Sequence, residues 1–122
     1  MNGEQLHQEA LEIAAQLPFA QHTQPFGPDY EVFKILGKIF LLTAEVNGVK
    51  MVNVKCDPYK ILEYQELYSF IKLGYHMNKK HWISIVANDL LSYDLLTDLI
   101  HDSYTLVVKK LPLKDQKRLK AQ

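Results

Sequence analysis

The chain has 122 residues and a mass of 14.1 kDa, with 48% hydrophobic and 23% charged residues. This ordinary globular composition excludes intrinsic disorder and predicts one compact domain over residues 1–122. No apolar run approaches the ~20 residues of a membrane helix, so we expect no membrane-spanning segment. The first 16 residues carry three glutamates and no Lys or Arg, unlike a signal peptide. The single cysteine, Cys56, cannot form an internal disulfide, so we expect a cytoplasmic protein.

Charge is distributed unevenly along the chain. There are 14 basic and 14 acidic residues, so the formal net charge is zero. Residues 1–33 sum to −5, from five acidic and no basic residues, and residues 34–122 sum to +5. The basic residues concentrate between Lys72 and Trp82 and in the tail from Lys109. Such a distribution either steers a polyanion to one face or is a solvated surface without a partner.

The first quarter of the chain predicts a helix and a loop. Apolar residues recur at steps of three and four between Glu4 and Leu17, which is typical of an amphipathic helix. Pro18 is expected to end it. Thr23–Asp29 contains two prolines and one glycine, which indicates an ordered loop that leads into a sheet.

Three strands are predicted next, over Tyr30–Leu36, Lys38–Val46 and Val49–Cys56, because these segments are rich in β-branched and aromatic residues. Asn47-Gly48 is a strong hairpin motif between the second and third of them. We therefore expect the three strands to form an antiparallel meander.

The second half of the chain begins with Asp57-Pro58, where an N-cap residue precedes a proline suited to the first helical turn. Ser92 is expected to cap a later helix with a continuous apolar stripe. The elements predicted here are a helix to about Tyr68, strands Ile71–Tyr75 and Trp82–Ala87, a helix stopped by Pro112, and a frayed basic tail, Leu113–Gln122. The predicted order is α-β-β-β-α-β-β-α, an α+β fold with helices packed on an antiparallel sheet.

The sequence carries little that indicates catalysis. It has no phosphate-binding glycine loop, cysteine pair or His-Glu-x-x-His motif. His76 and His81 are five residues apart without a nearby carboxylate or thiol, so we expect no metal site and no cofactor. Cys56 beside Lys55 and Ser103 beside Tyr104 are the candidate nucleophiles, and a structural role is favoured for both. The chain is therefore predicted not to be an enzyme.

The segment Gly74–Trp82 combines basic, polar and aromatic side chains. Lys79 and Lys80 can pair with phosphates, His76 and Asn78 can hydrogen-bond phosphates or base edges, and Trp82 can stack on a base. In the structural alternative, Trp82 fills the core, His76 holds the turn and the two lysines protect a sheet edge.

Several blocks together resemble the MmcQ/YjbR family of small bacterial proteins, nearly from end to end. The matching blocks are Pro25–Asp29, Val32–Lys34 with Gly37-Lys38 and Phe40, Val54–Pro58, Gly74–Trp82, Ser103-Tyr104 and Leu111-Pro112. The resemblance implies a compact domain similar in shape to type III secretion chaperones. It also implies DNA binding, because the family's sheet is similar to the double-wing domain of a phage transcription factor.

Three hypotheses follow. The first is a non-enzymatic bacterial domain that binds DNA through a basic wing around His76–Trp82. Its site residues would be His76, Asn78, Lys79, Lys80, Trp82, Lys34 and Lys55. The second is a protein-interaction or chaperone-like domain without nucleic-acid binding, which an exposed apolar patch would favour. The third is a small-ligand site or enzyme, with the Pro25–Asp29 loop and His76 lining a pocket. A monomer or a small homo-oligomer is expected in each case.

Overall fold

The computed structural model describes residues 1–75 and 77–121 of the chain. These residues form four helices around a six-stranded sheet. In chain order the elements are α1 Gly3–Ala15, β1 Ala20–Thr23, β2 Val32–Ile35, β3 Lys38–Val46, β4 Val49–Lys55, α2 Pro58–Leu67, β5 Ile71–Leu73, β6 Trp82–Val86, α3 Tyr93–Lys109 and α4 Leu113–Lys120. None of these helices is long and apolar enough to cross a bilayer.

All strand pairs are antiparallel, and the strands lie in the order β1-β2-β3-β4-β6-β5. The predicted α+β class and the β2-β3-β4 meander are therefore confirmed. At the β3–β4 turn, Asn47 and Gly48 have φ of 51° and 79°. Positive φ at both central residues is the requirement of a two-residue hairpin turn.

Two predictions about the elements were wrong. Residues Ala20–Thr23 form an edge strand on β2, although nothing in this half-exposed segment alternates between apolar and polar. The segment predicted as a frayed tail forms α4 instead. Gln116 stabilises the junction of α3 and α4, because its Nε2 donates to the carbonyl oxygens of Lys109 at 3.1 Å and Leu111 at 2.8 Å.

The helix starts follow the capping rules. The Asp57 carboxylate accepts a hydrogen bond from the Tyr59 amide at 2.9 Å at the start of α2. The Ser92 hydroxyl accepts one from the Leu95 amide at 3.0 Å at the start of α3. Each cap satisfies an amide that the first turn leaves unpaired, so the predicted starts of both helices are confirmed.

The main core lies on one face of the sheet, where α1 and α3 cover alternate residues of the central strands. Val54 and Ile83, which face each other across β4 and β6, belong to this core. Their neighbours Lys55 and Trp82 are also paired and point to the opposite face, because side chains alternate along a strand. We call this opposite face the second face; its central residues Asn53 and Ser84 are buried as well.

Antiparallel pairing gives the sheet two different ends. β3 begins, β4 ends and β6 begins at one end, which α3 reaches with its C-terminal half. We call it the basic end, defined by Lys38, Lys55, Lys80, His81 and Lys110. The other end, which we call the turn end, contains the Asn47-Gly48 turn and the start of α1, where Gly3 packs against Lys50.

Candidate functional site

The β5–β6 connection, predicted as the wing, is tied closely to the sheet. The Gly74 amide donates to the carbonyl oxygen of Trp82 at 2.9 Å, and the Tyr75 amide donates to the Ser84 hydroxyl at 2.9 Å. A Cβ on Gly74 would lie 2.7 Å from the Cβ of Trp82, so only glycine fits this close approach. The connection therefore returns over the face that carries Trp82 and Ser84.

Two of the predicted wing residues use their side chains inside the loop. The Asn78 side-chain oxygen accepts a hydrogen bond from the Lys80 amide at 2.9 Å. The Lys79 ammonium donates to the carbonyl oxygen of Gly74 at 3.2 Å. Lys80 is exposed, and among the described residues no carboxylate lies within 4.0 Å of its ammonium. His76 lies outside the described residues.

Trp82 is buried on the face opposite the main core, where Gly74 of the β5–β6 connection packs against it, and this burial is unfavourable for the predicted stacking contact. Its side chain is only 8% exposed. The Lys55 ammonium lies 5.8 Å from the centroid of its ring, within the range of a cation–π interaction. A nucleic-acid base could not stack on this ring without displacing Lys55. Of the two interpretations of Trp82 drawn from the sequence, the structure supports the one in which the ring is buried.

Lys34 lies on the second face of the sheet, whereas Lys55 lies on a different strand, at the end of β4 beside the C-terminal part of α3. Lys34, on β2, pairs with Ile39 of β3, and Lys55 ends β4. β3 lies between the two strands, so their backbones are about 10 Å apart. The two residues extend the positive surface across the sheet without touching.

Three residues that the sequence hypothesis did not include complete the basic end: the lysines Lys38 and Lys110, and His81, which is mainly uncharged at neutral pH because its pKa is lowered. Burial lowers the pKa of the Lys55 ammonium, and the charges of Lys110 and Lys38 lower it further. Partial burial lowers the pKa of His81, as do the charges of Lys110, Lys80 and Lys55. These side chains are therefore close enough to repel one another. They lie at positions 38, 81 and 110, and no local motif in the sequence could have connected them.

No described lysine of the basic end forms an ion pair within 4.0 Å, although Asp57 and Asp102 line a cleft beside Lys55. The ion pairs found among residues 1–75 and 77–121 are His22–Glu31, Lys50–Glu45 and Arg118–Asp115. None of them involves a cation of the basic end. Asp57 is the nearest carboxylate in sequence, and it is already engaged as the N-cap of α2. Repulsion between unpaired like charges favours the binding of an anion at this end.

Ser103 fixes the elements that carry these cations. Its hydroxyl accepts a hydrogen bond from the Lys55 amide at 2.8 Å and donates one to the carbonyl oxygen of Phe40 at 2.6 Å. The register of β2 against β3 shifts at this point, and Ser103 bridges β3 and β4 where their pairing stops. The side chain is fully buried, as expected from the structural interpretation of this serine.

Cys56 lies beside a cleft between α2 and α3 with a volume of about 140 Å³. Burial raises the pKa of its thiol to about 11, and the Asp57 carboxylate adds to the rise. The side chain is 6% exposed. A thiol in these surroundings stays protonated at neutral pH, which is unfavourable for a nucleophile. No group of three His, Cys, Asp or Glu suited to a metal ion occurs in the part of the chain that the structure describes.

Comparison with known proteins agrees with this architecture. The YjbR family profile matches residues 15–106, most of the chain. The Escherichia coli O157:H7 protein named "Uncharacterized protein YbdF" is 51% identical over 120 residues, covering 98% of both chains.

Two solved structures are similar. Deinococcus radiodurans protein DR2400, a DUF419 domain, aligns with a TM-score of 0.78 at 32% identity, over 89% of this chain and 83% of its own. A Pseudomonas syringae protein aligns with a TM-score of 0.71 at 28% identity, over 87% of this chain and 98% of its own. The predicted family resemblance is confirmed, and the chain belongs to the YjbR family.

Proposed function

We propose that this YjbR-family domain is a non-enzymatic DNA-binding protein that contacts the phosphate backbone with its basic end. The observation that carries the proposal is the set of mutually repelling cations around Lys55, none of which is paired with a described carboxylate. Backbone phosphates would supply the missing negative charges.

The β5–β6 loop contributes to this surface at its margin. Lys80 joins the cluster through its effect on His81, and its side chain is exposed. Lys79 adds its charge while its ammonium stays bonded to the loop. Lys34 extends the surface across the second face of the sheet. The interface is therefore centred on Lys55 and Lys110, and the loop forms its edge.

The binding should be weak and indifferent to sequence. Phosphate contacts carry no base information, and Trp82 is buried and unable to stack on a base. The formal net charge of the chain is zero, so long-range attraction is small. We expect a Kd in the micromolar range or weaker at physiological salt, as for non-specific binding.

The surroundings of the two candidate nucleophiles support the non-enzymatic part of the proposal. The Ser103 hydroxyl donates its only proton to Phe40 and accepts a hydrogen bond from Lys55, and so links β3 to β4. The Cys56 thiol is buried, and its pKa is raised to about 11. Each side chain has a structural role and lacks an activating base. The unpaired cysteine also fits a reducing compartment, so we propose a cytoplasmic location.

Fluorescence anisotropy of a labelled mixed-sequence duplex and of its single strand, each at two salt concentrations, tests the proposal. Four phosphate contacts would give a slope of about −3 to −4 for log Kobs against log salt concentration on duplex DNA. Absence of binding to either strand form at low salt would refute the proposal.

A second candidate function, binding of a protein partner, is favoured by the solvent face of α2. Tyr59, Leu62 and Leu67 are 94%, 67% and 62% exposed on this helix. Large apolar side chains grouped on one exposed helix face are typical of interaction surfaces. The double variant Tyr59→Ser/Leu62→Ser should abolish association with a partner or with a second copy, measured by analytical ultracentrifugation. If the wild type and the variant have the same sedimentation coefficient, both in cell extract and as purified proteins, this function is excluded.

A further inference from the structure

One hollow at the basic end has an unusual lining. Its volume is about 200 Å³, and its lining residues are Lys38, Lys55, Val107, Lys110 and Leu111. Three of the five are lysines, and the other two are buried apolar residues that form the floor. No carboxylate belongs to this lining. A water molecule has a liquid volume of about 30 Å³, so the hollow has room for a tetrahedral anion and several waters.

The three lysines come from three elements whose positions are fixed relative to one another. Lys38 begins β3, Lys55 ends β4 and Lys110 caps α3. Ser103 of α3 connects the other two elements, because its hydroxyl bonds to Phe40 on β3 and to Lys55 on β4. The backbones that carry the three ammonium groups are therefore held in place before any ligand arrives, which reduces the entropy cost of binding.

The positive charges around the hollow repel one another. Lys55 is half-buried, and its charge is opposed by Lys110 and Lys38. The apolar floor weakens the screening of these charges by water, so repulsion among them and attraction to an anion are both stronger than on an open surface. The negative end of the α3 dipole favours Lys110 at this position and compensates only part of the repulsion.

We propose that this hollow is a phosphate seat, in which the ammonium groups of Lys38, Lys55 and Lys110 bind a single phosphate group. The inference deepens the proposed function, because on DNA the group would be a backbone phosphate. A phosphate monoester or free phosphate offers the same chemistry. Three lysines around one hollow suit an anion with several charged oxygens better than a carboxylate, which has only two.

The phosphate seat is tested by measuring the Tm of the protein at increasing concentrations of inorganic phosphate and constant ionic strength. At about ten times the Kd, phosphate should raise the Tm of the wild type by roughly 5 °C. Lys110→Gln should lose this rise, and should unfold at the same or a higher temperature than the wild type without phosphate, since one repelling charge is gone. Lys50→Gln, which removes a charge at the turn end, should keep the full rise and serves as the matched control.

The same variants, titrated into a labelled oligonucleotide, separate the two proposals. Weaker binding of both phosphate and oligonucleotide by Lys110→Gln supports the seat and the DNA function together. Phosphate binding without oligonucleotide binding refutes the DNA function and supports a seat for a small phosphate compound. The seat is overturned if Lys110→Gln binds the oligonucleotide as tightly as the wild type and the wild type shows no saturable rise of Tm with phosphate. If phosphate raises the Tm of Lys110→Gln, Lys50→Gln and the wild type equally, the rise is a general salt effect. That result also overturns the seat.

Discussion

Strand β4 carries a lysine near each end, and the two lysines have opposite electrostatic surroundings. Lys50, at the turn end, lies 4.0 Å from the Glu45 carboxylate on the neighbouring strand. Lys55, about 17 Å further along the strand, is surrounded by the cations Lys38 and Lys110. Lys50 belongs to a balanced surface, because Glu4 lines the same cavity. Lys55 has no ion pair within 4.0 Å among the described residues, and the hollow that it shares with Lys38 and Lys110 has no carboxylate in its lining.

The difference shows that the position of charges matters more than their number. The whole chain is formally neutral, and charge alone predicts no affinity for a polyanion. Four of its lysines, Lys38, Lys55, Lys80 and Lys110, are nevertheless brought to one end by the antiparallel sheet and by the end of α3. Variants that change the basic end and leave the turn end intact, or that change only the turn end, test this difference.

The largest expected effect is a loss of stability when the buried Trp82 ring next to Lys55 is removed. Trp82→Ala removes a buried ring that contacts Gly74 and lies under Lys55. We expect a loss of ~3–5 kcal/mol in the free energy of unfolding, measured by urea denaturation. A loss below about 1 kcal/mol would mean that the Trp82 ring is not buried, and its role in stacking would have to be considered again.

Ser103→Ala should destabilise the basic end by a smaller amount. It leaves the Lys55 amide and the Phe40 carbonyl without their partner, which costs about 1–3 kcal/mol. Because the three lysines would then be less well positioned, affinity for DNA should fall as well, without any change in charge. Ser92→Ala is the control: it removes the N-cap of α3 at a cost of about 1 kcal/mol and should leave the affinity unchanged.

Removing lysine charges at one end of the sheet at a time should show which end contributes to DNA affinity. Lys55→Gln/Lys110→Gln should lower affinity for duplex DNA about tenfold at low salt and reduce the salt slope by about 2. Lys50→Gln should change neither value, measured by the same anisotropy titration. Equal losses in both variants would show that binding depends on overall charge and not on the basic end.

The pH dependence of stability should report on Cys56. The folded state keeps the thiol proton up to a pKa of about 11, and the reference value is 9.0. The folded chain therefore binds more protons between these pH values, and the free energy of unfolding falls as pH rises, by at most about 1.4 kcal/mol per pH unit. Cys56→Ala should show a shallower decline over this range. An identical decline in the variant would mean that the thiol titrates normally.

The smallest effect is expected from the loop. Lys79→Ala/Lys80→Ala should lower DNA affinity by less than Lys55→Gln/Lys110→Gln, because the Lys79 ammonium is already bonded to Gly74. A threefold loss is a reasonable expectation, at about 0.65 kcal/mol. If the loop variant instead loses more than the Lys55/Lys110 variant, the interface is centred on the wing, as the sequence hypothesis had it.

The sequence predicted the fold well wherever a local rule determines structure. The Asn47-Gly48 turn and the caps at Asp57 and Ser92 each depend on a few adjacent residues. Strand β1 was missed because its pairing with β2 and not its own composition makes it a strand. Helix α4 was missed because its caps are weak and it is stabilised from α3 through Gln116.

The candidate site was predicted only in part, for the same reason. Lys55, Lys79 and Lys80 were found because they lie in or near conspicuous sequence blocks. Lys38 and Lys110 are 72 positions apart and meet only after β3, β4 and α3 have packed. Trp82 was included because aromatic residues beside lysines are typical of nucleic-acid contacts, but β6 is buried on both faces and the β5–β6 connection packs against this ring.

Mapping of backbone amide chemical shifts on addition of a short DNA oligonucleotide tests most directly which end of the sheet binds. The account predicts saturable, salt-sensitive shifts at Lys38, at Lys55–Asp57, at Lys80 and His81, and at Lys110, with none at Glu45–Lys50. Shifts confined to the Asn47-Gly48 turn or to α2, or the absence of any shift at low salt, would contradict it.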